Sequence, residues 1–69
     1  STKRNARRLG QTVEVLIDSK QKGRWSGRTR GNQLVHVADE RHLLGKLVDV
    51  RITQTSPWYF IGEVVGEPR

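Results

Sequence analysis

The chain has 69 residues, enough for one small domain. It contains no cysteine, which excludes disulfides, thiolate metal sites and thiol nucleophiles, and its two histidines, His36 and His42, are too few for a metal cluster. We expect no membrane span and no secretory signal, since no apolar run is long enough. A secreted disulfide-rich protein, a zinc finger, a membrane protein and most self-sufficient enzymes are thereby excluded. A binding module or a part of a larger protein remains.

Positive charge is concentrated in the first half of the chain. Residues 1–30 carry nine basic and two acidic side chains, whereas residues 31–69 carry four basic and five acidic ones. Such asymmetry indicates a face that binds a polyanion. Nine of the thirteen cations are arginines, which grip phosphate in two-point contacts and stack on bases, so the bias favours nucleic acid over a membrane surface. The alternative is a basic surface that is merely solvated.

Short runs with strand periodicity begin after a polar, basic segment, residues 1–9, that we expect to be a flexible linker. Gly27 inside the second run predicts a bulge or sharp bend. We expect a basic hairpin loop over 19–23 and a two-residue turn at 31–32, and residues 66–69 read as a flexible tail. Five strands are predicted at 11–18, 24–30, 33–37, 46–53 and 58–65.

The segment between the third and fourth runs lacks strand periodicity. Asp39 can cap one short helical turn that runs to Leu44 and ends at Gly45. The pattern as a whole predicts an all-β fold, a small five-stranded antiparallel OB-like barrel that is closed or nearly closed. The predicted core consists of Val13, Val15, Ile17, Val35, Val37, Leu44, Val48, Val50, Ile52, Phe60 and Val64.

Four segments in order along residues 10–65 resemble the TRAM domain, a small RNA-binding barrel of tRNA- and rRNA-modifying enzymes. They are GQTVEVLI at 10–17, GRTRGNQLVHV at 27–37, GKLVDVRIT at 45–53 and FIGE at 60–63. The subgroup that the chain resembles most is the C-terminal TRAM domain of radical-SAM tRNA methylthiotransferases. The glycine-arginine-threonine hairpin and the basic segment before Gly10 both suit that placement.

This resemblance implies a parent enzyme that adds a methylthio group to the isopentenylated adenosine beside the anticodon, using iron–sulfur clusters and S-adenosylmethionine. The fragment would hold tRNA for the upstream catalytic domain of the same chain and would itself be inert, with no cofactor of its own. We also expect a cytoplasmic, monomeric module with no membrane partner. A TRAM domain of another RNA-modifying or ribosomal-protein-modifying enzyme is an open alternative.

Cations and aromatic rings supply the candidate RNA contacts, because cations neutralise phosphates and rings stack on unpaired bases. The candidates are Lys20, Lys22, Arg24, Trp25, Arg28, Arg30, Lys46, Arg51, Trp58 and Tyr59. By the strand period of two, Arg24, Ser26, Arg28 and Arg30 share one side, with Trp25 on the other.

Each candidate also has a structural alternative. The arginines can pair with Glu14 or Asp49, Trp25 can belong to the core, and Trp58 or Tyr59 can close the barrel end. We interpret His36 as a structural histidine. Asp39 and the acidic residue after it do not form an acid–base dyad.

Two other classes of function compete with RNA binding. An SH3- or Tudor-like barrel would use Trp25, Trp58 and Tyr59 as a pocket for a peptide or a methylated side chain. An autonomous enzyme is disfavoured by the lack of cysteine and of a glycine-rich phosphate loop.

Overall fold

Five β-strands are the regular elements of residues 8–69, the part of the chain that the computed structural model describes. The two longest contain mostly alternating apolar and polar residues, the pattern of a strand with one buried face. The predicted linker lies mostly outside the described residues. The strands are β1 (Thr12–Gln21), β2 (Arg24–Arg28), β3 (Leu34–Val37), β4 (Leu47–Thr55) and β5 (Phe60–Val65).

The strands close into a barrel in the order β1-β2-β3-β5-β4, which confirms the predicted all-β, OB-like architecture. Four of the five pairings are antiparallel, but β3 and β5 run parallel, with Val35 opposite Phe60. The prediction of a wholly antiparallel barrel is therefore wrong in this detail. An odd-numbered ring of strands cannot alternate direction all the way round, so one pair has to be parallel.

The inward faces of the strands supply most of the core, as predicted. Val13 and Val64 are only partly buried and pack against it, and the choice of Leu44 is wrong: Leu44 is 49% exposed whereas Leu43 is fully buried. Trp25 is a further core residue that the predicted set lacks. The buried hydrophobic residues are Val15, Ile17, Trp25, Val35, Val37, Leu43, Val48, Val50, Ile52 and Phe60.

Two glycines within strands lie where the backbone of the neighbouring strand is very close. Gly27 faces Ile17 at the point where the register of β1 shifts before Ser19, and Gly62 faces a similar shift in β4. A Cβ at Gly27 would overlap the backbone carbonyl of Leu16. The irregularity predicted at Gly27 is therefore present, but the bulge itself lies in the partner strand.

The β1–β2 turn is tighter than predicted. Lys22 and Gly23 form it alone, with φ angles of 51° and 78°, and the three residues before it pair with the first three of β2. Two successive positive φ angles give a turn whose twist matches that of the flanking strands. The second hairpin is looser, because β2 ends at Arg28 and residues 29–33 form the connection, with the Thr29 amide donating to the Gln33 carbonyl at 3.0 Å.

The segment from residue 38 to 46 contains no helix, so the predicted helical turn is absent. The Asp39 carboxylate instead accepts a hydrogen bond from the Arg41 amide at 2.9 Å, which closes a tight local turn. Gly45, with φ of 77°, donates its amide to the Ile17 carbonyl at 2.9 Å. The segment is thus hydrogen-bonded to Ile17 of β1, and its Leu43 side chain is buried in the core.

The end of the chain differs from the frayed tail that the sequence predicts. The Arg69 amide donates to the Leu47 carbonyl at 2.8 Å, and the Leu47 amide donates back to Arg69 at 3.3 Å. The last residue therefore continues the hydrogen bonding along β4. Across residues 8–69 we find no helix of the length and apolarity that a bilayer crossing requires.

Candidate nucleic-acid interface

A groove of about 440 Å³ runs over the outer face of β2 and β3, and we call it the β2–β3 groove. The end of the β1–β2 hairpin forms one part of it, the two strands form its floor, and the loop between β4 and β5 closes it. Its lining residues are Gln21, Lys22, Arg24, Ser26, His36 and Tyr59. In OB-like barrels this combination of strand face and loops is the usual place for oligonucleotides.

The period of two in β2 decides which side chains reach the groove. Arg24 and Ser26 line it, whereas Trp25 between them is buried in the core. This is the division between the two sides that the sequence pattern predicts. On β3 the same alternation places His36 on the outside, directly opposite Ser26, while Val35 is buried inside.

His36 is held in a fixed position on the groove floor. Ser26 Oγ lies 2.9 Å from its Nδ1 and forms a hydrogen bond with it. The Tyr59 ring meets the imidazole edge-on, with centroids 5.1 Å apart. Sequence reasoning treated His36 as structural and missed its place in the groove. The sequence signal for this position is that His36 lies between Val35 and Val37. Because both valines point inward, the side chain between them points outward.

The described part of the chain offers the groove cations no carboxylate partner. Within residues 8–69, Lys22 and Arg24 form no ion pair, and Arg28 donates only to the Asn32 carbonyl, at 3.2 Å. Lys20 is also free of carboxylates, with its Nζ 4.8 Å above the Trp25 ring. Four of the predicted cations therefore form no ion pair within the described residues. Arg28 lies outside the groove, at a separate depression that Glu14 and Asp18 also line.

Trp25 occupies the core, the alternative that the sequence left open for it. Its ring is 3% exposed, its Nε1 donates to the Asp39 carbonyl at 3.2 Å, and His42 packs against it edge-on at 5.4 Å. With Lys20 lying over the ring as well, no face is open to a nucleobase. We therefore leave Trp25 out of the candidate interface.

Trp58 has the opposite environment. It is 78% exposed in the loop between β4 and β5, next to Tyr59, and its amide donates to Ser56 Oγ at 3.2 Å. The sequence predicts that one of these two aromatic residues points away from the core, and Trp58 does so. An exposed indole beside a basic groove is available for stacking.

The remaining predicted cations lie outside the groove. Arg30 is paired with Glu14 at 3.1 Å although its side chain is 90% exposed, and Arg51 is paired with Glu63 at 3.4 Å. Lys46 lies in the loop that hydrogen-bonds to the middle of β1. Arg30 thus shows the carboxylate pairing that the sequence offered as its alternative, and these three residues do not extend the groove.

Several carboxylates of the barrel lie outside the groove and form ion pairs with arginines there. Glu14 and Asp49 face each other across β1 and β4, and the Arg69 guanidinium bridges them at 2.8 and 2.9 Å. The hydrogen bond from Arg69 lowers the pKa of Asp49, and the hydrogen bond from Arg41 likewise lowers the pKa of Asp39. These carboxylates are therefore held by arginines outside the β2–β3 groove, and none of them pairs with Lys22 or Arg24.

Comparison with known proteins agrees with this architecture. Residues 6–65 match the family model described as the TRAM domain. The chain is 55% identical over 62 residues to a tRNA-2-methylthio-N(6)-dimethylallyladenosine synthase of Chloroflexus aurantiacus, covering 90% of the chain and 13% of that protein. Over 67 residues it is 42% identical to a protein of the same name from Herpetosiphon aurantiacus, covering 97% of the chain and 15% of that protein. The chain thus spans a small part of these relatives, and it belongs to the TRAM domain family.

Proposed function

We propose that the barrel is an RNA-binding domain that docks tRNA, at its anticodon stem-loop, onto an attached radical-SAM methylthiotransferase. The observation that carries the proposal is the β2–β3 groove, where Lys22 and Arg24 have no carboxylate partner among residues 8–69 and an aromatic loop adjoins them. The relatives indicate the substrate, since their names describe synthases of a modified adenosine of tRNA.

Two kinds of contact would hold the RNA. The side chains of Lys22, Arg24 and Arg28 neutralise backbone phosphates, with Lys20 adding to the local field. Trp58 and Tyr59 offer rings for unpaired bases, and each stacked base contributes about 1–3 kcal/mol. Unpaired bases occur in loops, so an anticodon loop suits this arrangement better than a regular duplex.

The chemistry of modification belongs to the attached domain. A radical-SAM methylthiotransferase uses iron–sulfur clusters, which thiolates hold, and S-adenosylmethionine. This chain has no cysteine, and its described residues bring together no group of three metal-ligating side chains, so its residues do not fit such a cluster. The barrel would contribute by tethering, which raises the effective concentration of tRNA at the catalytic site of the same polypeptide. We place this module, as a monomer, in the cytoplasm with its tRNA.

The arrangement of the tryptophans argues against an SH3- or Tudor-like pocket. Such a cage needs several rings to converge on one ligand, but Trp25 is buried and Trp58 is exposed on a loop. Within residues 8–69 the ring contacts that form are those of Trp25 with His42 and of Tyr59 with His36. Neither leaves an open aromatic box for a methylated side chain.

The salt dependence of binding separates the two functions. We titrate the chain with an anticodon stem-loop at several salt concentrations. About four neutralised phosphates give a slope of about −3 to −4 for log K against log salt. A slope near zero, or the absence of binding to the stem-loop, would refute the proposed function. A protein-binding cage would instead be salt-tolerant.

A further inference from the structure

Most of the β2–β3 groove is not built for phosphate. Of its six lining residues only Lys22 and Arg24 are lysine or arginine; the others are Gln21, Ser26, His36 and Tyr59. A site that binds only the RNA backbone requires cations, because phosphates are negatively charged. Such a site cannot distinguish one base from another. The hydrogen-bonding side chains and the ring in the groove therefore indicate that it also binds a part of the ligand other than phosphate.

His36 lines the groove, and one of its ring nitrogens is left for a ligand. Its Nδ1 is engaged by Ser26, which is only 5% exposed, so Nε2 lies on the side of the ring away from Ser26. Nε2 forms no hydrogen bond within the described part of the chain. The Ser26 hydroxyl can either donate to Nδ1 or accept from it. Either tautomer of His36 is thus stable, and Nε2 can act as a donor or an acceptor toward a ligand.

The surroundings restrict that ligand to a flat polar group attached to an anion. The Tyr59 ring lies against the imidazole with centroids 5.1 Å apart, and the Gln21 amide offers a further donor and acceptor. Lys22 and Arg24 lie at the same groove. A nucleotide unit combines the required features: a planar base, a hydrogen-bonding edge and a phosphate.

We propose that the β2–β3 groove holds one unpaired nucleobase, whose edge is read by His36 Nε2 and the Gln21 amide, while its flanking phosphate binds Lys22 and Arg24. This inference rests on the proposed RNA-binding function and extends it, because it makes binding selective for the base at one position. Ser26 is a positioning residue that acts through the His36 ring.

The test uses five RNA pentamers. Four of them carry a single base, A, G, C or U, at the central position and are abasic elsewhere, and the fifth is abasic throughout. All five have the same phosphates. By NMR titration, we expect the preferred base to bind about fivefold or more tightly than the abasic pentamer, the low end for a well-formed contact to a base edge. His36→Phe, which keeps the ring and removes its nitrogens, should bring this ratio close to one and leave the affinity for the abasic pentamer within about twofold.

Matched variants keep the test independent of folding. His42→Phe alters a histidine that packs on Trp25 outside the groove, so it should keep the full base preference. Ser26→Ala frees the His36 ring and should reduce the preference even if His36→Phe fails to fold. The inference is overturned if the groove variants keep the wild-type ratio, or if all five pentamers bind the parent chain equally. In the second case salt-dependent binding of the stem-loop still upholds the proposed function, whereas failure of every RNA to bind overturns both.

Discussion

Removal of the two groove cations should weaken RNA binding far more than removal of two cations elsewhere. Each phosphate that is released from the protein changes the salt slope by about 0.7 to 0.9, which corresponds to about five- to eightfold in affinity at 0.1 M salt. Lys22 and Arg24 have no carboxylate partner among the described residues, so their whole charge is available to phosphate. The double variant Lys22→Ala/Arg24→Ala should therefore bind the anticodon stem-loop about 25- to 60-fold more weakly at 0.1 M salt.

The matched control is Arg41→Ala/Arg51→Ala, which removes the same charge from residues outside the groove. Arg41 is paired with Asp39 at 2.8 Å and Arg51 with Glu63 at 3.4 Å. Fluorescence anisotropy with a labelled stem-loop, repeated across salt concentrations, gives both affinity and slope. The groove variant should lose about 1.4 to 1.8 from the slope and the control much less. Equal losses in the two variants would show that net charge, and not the groove, governs binding.

Three further predictions concern the barrel itself, each followed by unfolding in urea. Gly27→Ala should cost more than about 2 kcal/mol because its Cβ would overlap the backbone of β1, whereas Gly31→Ala, with its nearest neighbour at 3.9 Å, should stay within about 0.5 kcal/mol; equal effects would contradict the close approach. Leu43→Ala should cost about 2–5 kcal/mol and Leu44→Ala about 0.5 kcal/mol or less, and the reverse order would place the wrong leucine in the core. An arginine hydrogen bond lowers the pKa of Asp49 in the folded chain, so this pair stabilises the fold above the ordinary carboxyl pKa and the stabilisation is lost as pH falls through the lowered value. Asp49→Asn should thus flatten the fall in urea midpoint below the ordinary carboxyl pKa of about 4, and an unchanged profile would rule out this linkage.

The strands were predictable because their period of two is imposed by burial on one face. Val48, Val50 and Ile52 alternate without interruption, and all three are buried. The same alternation on β2 correctly separates Arg24 from Trp25. The segment before β4 has no such period, so the pattern could not show which of two adjacent leucines is buried. The prediction chose Leu44, which is exposed, whereas Leu43 is the core residue.

Features that depend on contacts between distant segments were not predictable from local pattern. The β2–β3 groove combines the β1–β2 hairpin, β3 and the loop that carries Tyr59, so His36 could not be placed beside Tyr59 until the barrel closed. The pairing of Arg30 with Glu14 likewise joins residues 16 positions apart. Sequence reasoning could therefore list both outcomes for Arg30 but could not choose between them.

The most direct test of the account is to map the RNA footprint residue by residue. Titration of the ¹⁵N-labelled chain with an anticodon stem-loop reports on the backbone amide of each residue. The largest shifts are expected in the β2–β3 groove, at Lys22, Arg24, Ser26, His36 and Tyr59. Shifts confined to the outer face of β4 and β5, around the ion pair at 51 and 63, would contradict this expectation.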